Sequence, residues 1–144
     1  MKALQQLIEA KPSLFSGAVR TDETVLRQLE TSLGVLLPSD VRWFWLSCGS
    51  GLSGAAPSAS SSIADTLRFR SAAFLPGQYV VLDDRNDAGA VLLDTGTPGG
   101  AVLWVDSHAI GNVASGEVSP AEWDYFPTFA AWVSFCIEQA SDAA

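Results

Sequence analysis

Residues 79–104 read YVVLDDRNDAGAVLLDTGTPGGAVLW. Three apolar runs of strand length are separated by two clusters of turn-forming residues, which is the pattern of two consecutive hairpins. Asn86, Asp87 and Gly89 suit the first reversal, and Pro98, Gly99 and Gly100 punctuate the second. The runs Val80–Leu82, Val91–Leu93 and Val102–Trp104 are continuously apolar, so their middles should be covered on both faces of a sheet. Helices have to supply that cover.

The flanking sequence offers them. Leu4, Leu7 and Ile8 recur at helical spacing before Pro12. A second helix has Thr21 as its expected cap, Asp22 and Glu23 at its positive end, an apolar stripe of Val25, Leu26, Leu29 and Leu33, and Gly34 just past its last turn. Pro38 suits the first turn of a third helix, whose face would be Val41, Phe44, Trp45 and Cys48. Trp43 falls off that face, either at a binding surface or over the edge of the core. Residues 49–62, rich in Gly, Ser and Ala, read as a flexible loop. Beyond it Leu67-Arg68-Phe69-Arg70 alternates as a half-buried strand would, with both arginines outward. Residues 109–117 suit a short turn or strand. From Pro127 onward, Phe129, Trp132, Val133, Cys136 and Ile137 mark a final helix, capped by Thr128 or Asp124. The expected fold is a single α+β domain over residues 1–144. Its sheet is mainly antiparallel, with a mixed order left open, and packs against amino-terminal helices and a carboxyl-terminal one.

A chain of 144 residues is long enough to bury a core without staples. Cys48 and Cys136 sit among apolar neighbours, as buried free thiols would, with a disulfide as the alternative. Two Cys and one His do not make a zinc set, and so few cysteines fit a reducing cytosol. Gln5, Gln6 and Glu9 interrupt the amino terminus before a signal-peptide core can form, and no apolar run reaches the roughly 18 residues of a membrane span. The expected location is the cytoplasm.

The net charge of −8 is unevenly placed: residues 1–75 sum to +1 and residues 76–144 to −9. Direct nucleic-acid binding is disfavoured, because it depends on Lys and Arg displacing counterions from phosphates. A basic protein partner is the natural complement.

Three motif-like strings fail on context. Gly49-Ser50-Gly51-Leu52-Ser53-Gly54 has the letters of a dinucleotide fingerprint, but it follows a helix instead of a strand. Residues 84–89 begin like a calcium loop, yet Ala88 stands at the fifth position, which needs an oxygen ligand, and Thr95 at the twelfth, where a bidentate Glu belongs. Asp106, Ser107 and His108 are adjacent, whereas a catalytic triad is a spatial arrangement with an oxyanion site beside it. No catalytic residues, cofactor or metal are expected.

Read together, Glu30, Leu33, Gly34, Leu37, Pro38 and Asp40, followed by Arg42, Phe44, Leu46 and the Gly49/Gly51 turn, resemble the SUKH superfamily. That group takes in the fungal Smi/Knr cell-wall regulators and many bacterial immunity proteins. The strings at residues 87–94, 102–106 and 128–133 fit the same order, and Gly49-Ser50-Gly51 departs from the family's usual Asn-Gly-Gly turn. The resemblance implies an α+β domain that binds and does not catalyse. The functional expectation is an immunity protein that blocks a basic, nucleic-acid-targeting bacterial toxin; the alternative is an intracellular scaffold or regulatory module. Candidate partner-binding carboxylates are Asp83, Asp84, Asp87, Asp94, Asp106, Glu117, Glu122 and Asp124, with Trp123 and Tyr125 as aromatic anchors.

Overall fold

The three apolar runs form the middle of the molecule. The computed structural model describes residues 2–11, 20–48, 59–84, 89–106 and 124–143. In it β1 (Tyr79–Asp84), β2 (Gly89–Asp94) and β3 (Ala101–Asp106) pair as two antiparallel hairpins, and a short β4 (Asp124–Phe126) adds to β3. The sheet order is β1-β2-β3-β4, antiparallel throughout. Side chains alternate between its faces. Val80, Leu93 and Val102 are in register on one face, and Val81, Leu92 and Leu103 on the other. All six are buried, so both faces are covered. Leu82 follows Val80 into the first core by alternation, and the β1–β2 register then shifts between Val81 and Asp83, which brings Asp83 opposite Val91 on the same face. Gly89 opens β2 at a φ of 145°, and a Cβ there would run into the Val105 carbonyl oxygen.

The first face packs against four helices: α1 (Lys2–Ala10), α2 (Glu23–Leu33), α3 (Ser39–Ser47) and α5 (Phe129–Ala143). Their buried residues are those marked by helical spacing: Leu4 and Ile8; Leu26, Leu29 and Leu33; Val41, Phe44, Trp45 and Cys48; Phe129, Trp132, Val133, Cys136 and Ile137. Each large side chain fully removed from water contributes about 1.5–3 kcal/mol. Phe44 meets Phe129 edge-on with centroids 5.4 Å apart, which locks α3 onto α5. Trp43 is half-buried and packs on the edge of this core. Cys48 and Cys136 are both buried free thiols.

The caps partly differ from expectation. Asp22, not Thr21, caps α2: its Oδ1 accepts the Val25 N–H at 2.9 Å. The Thr21 N–H donates to the Trp45 carbonyl near the end of α3. Gly34 ends α2 in the left-handed region at φ 67°, and its N–H and that of Val35 both close on the Glu30 carbonyl. Pro38 stands at the cap of α3, one residue before its first turn. Thr128 Oγ1 caps α5 by accepting the Ala131 N–H at 3.1 Å.

The stretch read as a loop and then a strand is instead one helix, α4 (Ala59–Ala73). The expected loop therefore stops before Ala59, and its remainder, residues 49–58, lies outside the described residues. Ala59, Ser62 and Thr66 are fully buried, with Ile63, Phe69 and Ala73 partly buried beside them. That stripe has helical spacing but is made largely of small and polar side chains, so no apolar period reveals it. Small residues bring α4 close to the outer edge of β1, where Thr66 Oγ1 accepts the Val81 N–H at 2.9 Å. The hydroxyl satisfies a buried edge donor that would otherwise be unpaired.

Candidate partner-binding surface

The residues behind the family resemblance form a structural corner between α2 and α3. Glu30 Oε2 accepts the Leu37 N–H at 2.9 Å, while its Oε1 receives Arg42 Nη1 at 2.6 Å. Arg42 also reaches Glu23. One carboxylate thus holds the backbone of the connection and the next helix together, a charge-assisted arrangement in a partly buried site.

Antiparallel pairing sorts the candidate carboxylates by strand end. Asp83 and Asp84 close β1, and Asp106 closes β3 opposite Gly89, all at the end of the β1–β2 hairpin. Asp124 opens β4 opposite Trp104, on the same half of the sheet. Asp83 pairs with Val91 and Asp106 with Gly89, so alternation along β2 puts both acids on the face of the first core. Asp106 is exposed and Asp83 half-buried. Asp94 closes β2 and therefore stands at the opposite end, a strand length of roughly 17 Å away. There Asp94 Oδ1 accepts the Gly96 N–H at 2.9 Å and stabilises its own turn. Tyr125 is 49% exposed beside Leu103, on the second face. Asp87, Glu117, Glu122 and Trp123 lie outside the described residues, as do His108, residues 109–117 and most of the calcium-like string.

The two arginines read as a solvated strand face have specific partners. Arg68 bridges Asp84 of β1 and, at 3.2 Å, Asp65 of its own helix. The hydrogen bond that Arg68 donates to Asp84 holds its guanidinium above its ordinary range. Asp84 is thereby compensated locally, whereas Asp106 is an exposed charge at the hairpin end. Arg70 is turned inward: its Nη2 donates to the Leu33 carbonyl at 2.7 Å and the Gly77 carbonyl at 2.8 Å. It caps the end of α2 from another helix, a role no local pattern announces.

On the second face, burial pushes the Tyr79 phenol up, and the charges of Asp94 and Tyr125 push it the same way. Among the described residues no group of three or more His, Cys, Asp or Glu is placed to hold a metal ion. No helix among them is long and apolar enough to cross a membrane. No protein-family model matches the sequence, and no curated protein matches it.

Proposed function

We propose that this chain is a cytoplasmic immunity protein of the SUKH, Smi/Knr-like type. It binds a cognate toxin domain through the acidic hairpin end of its sheet and blocks the toxin's active site without catalysis of its own. The observation that carries this reading is the placement of Asp106, exposed at a strand end with Asp83 on the same face, next to the hairpin that joins β1 to β2. A rigid sheet holds these carboxylates at fixed spacing, which suits the basic cleft of an enzyme that acts on nucleic acid. The α2–α3 corner supports the family assignment, since Glu30, Gly34, Leu37 and Arg42 of the resembling motif hold it together. Direct binding to nucleic acid is not part of the proposal, because the same charge repels phosphates.

The test is first whether the adjacent gene encodes a toxin-like domain, and then the association kinetics of the chain with that domain. Asp106→Lys is exposed and should fold normally. It should slow association about three- to tenfold at low salt and flatten the salt dependence. Unchanged kinetics would remove the hairpin end from the contact, and failure to co-purify with that domain would remove the immunity reading itself.

A further inference from the structure

The opposite end of the sheet is built from three connections: residues 34–38 between α2 and α3, 74–78 between α4 and β1, and 94–100 between β2 and β3. Arg70 joins the first two, donating to Leu33 O and Gly77 O. Thr95 joins the second to the third, giving both its N–H (3.0 Å) and its hydroxyl (2.6 Å) to the Gln78 carbonyl. Gly100 backs onto the Pro38 ring, where a Cβ would stand 3.2 Å from Pro38 Cγ, so the third also closes on the first. The result is one tied rim.

Two large apolar side chains face water on it. Leu36 is 82% exposed and Phe74 77%, more than any other large hydrophobic among the described residues. Phe74 also sits at φ 57°, just past the end of α4, where glycine or asparagine is the usual residue. A left-handed, non-glycine residue is strained, because its Cβ crowds the following carbonyl oxygen. Neither burial nor backbone ease accounts for phenylalanine there. Charge narrows the choice of what covers it. The three connections carry a single ionisable side chain, Asp94, in a chain of net charge −8. A basic partner would find more carboxylates at the hairpin end. Two copies of the acidic chain, by contrast, repel least where their carboxylates are fewest.

We infer that this rim is a self-association surface, on which Leu36 and Phe74 of two copies pack against each other about a twofold axis. The acidic hairpin ends then point outward at the two poles of a dimer. This goes beyond the toxin-binding reading and does not depend on it.

Sedimentation velocity of the full chain, across a concentration series at low and high salt, tests the inference. The expected result is a monomer–dimer equilibrium that added salt strengthens, because screening weakens the repulsion between two anionic copies. Leu36→Ser and Phe74→Asn should each weaken dimerisation at least about tenfold, as loss of a central apolar anchor does. Phe74→Asn keeps the backbone conformation available, so circular dichroism should show an intact monomer. A single monomeric species under all conditions would overturn the inference. So would a dimer that both variants leave intact, or one that dissociates as salt is added.

Discussion

The helices α1, α2, α3 and α5 bring large apolar side chains to the first core, to which α4 adds only Ala59 and Ile63, whereas at the β1 edge α4 relies on Thr66. The first contact depends on volume removed from water. The second depends on closeness and on a hydrogen bond, Thr66 to Val81, with Phe69 and Ala73 adding partial cover over the second face. The same sheet is therefore held by two kinds of force, and substitutions can separate them. Phe44→Ala empties the centre of the apolar layer, where Phe44 is 1% exposed and meets Phe129 edge-on. It should cost about 3–5 kcal/mol in denaturant unfolding, the largest effect expected here.

Thr66→Val should cost about 1–3 kcal/mol, since it keeps the shape of the side chain but removes the acceptor for a buried N–H. Thr66→Ser, which keeps the hydroxyl and loses a methyl, should be the milder change. If valine were the milder of the two, the contact would be one of volume after all, and the distinction between the layers would fail.

This difference in material decides what the sequence reveals. Leu26, Leu29 and Leu33, or Trp132, Val133, Cys136 and Ile137, announce their helices because the buried stripe is also the apolar stripe. In α4 the buried stripe includes Ser62 and Thr66, and the local alternation of Leu67, Arg68, Phe69 and Arg70 imitates a strand. The role of Arg70 was hidden for another reason: the carbonyls it caps belong to Leu33 and Gly77, and only tertiary packing brings them to it. The candidate surface was half legible. Hairpin arithmetic alone puts Asp84 and Asp106 at one end of the sheet and Asp94 at the other, but the charge total of the carboxyl half treats them as one face. The pairing of Asp84 with Arg68 required the helix that the sequence concealed.

The smallest expected effect compares the two layers through their ionisable groups. Burial pushes the Cys48 thiol up, opposed in part by Arg20, and burial likewise pushes up the Tyr79 phenol, with Asp94 adding to it. In each case the unfolded chain gives up its proton at a lower pH than the folded one does. The folded state then holds more protons, and stability falls as pH rises. Below the ordinary thiol range both contributions are fully present. Stability should begin to decline as pH passes through that range, when unfolded Cys48 ionises, and decline further through the phenol range as Tyr79 follows. Cys48→Ala should flatten the first segment of the alkaline profile and leave the second, and Tyr79→Phe should do the reverse. Thermal midpoints measured at a series of alkaline pH values would show both. An alkaline profile that neither substitution changes would mean that the two layers do not separately govern the loss of stability at high pH.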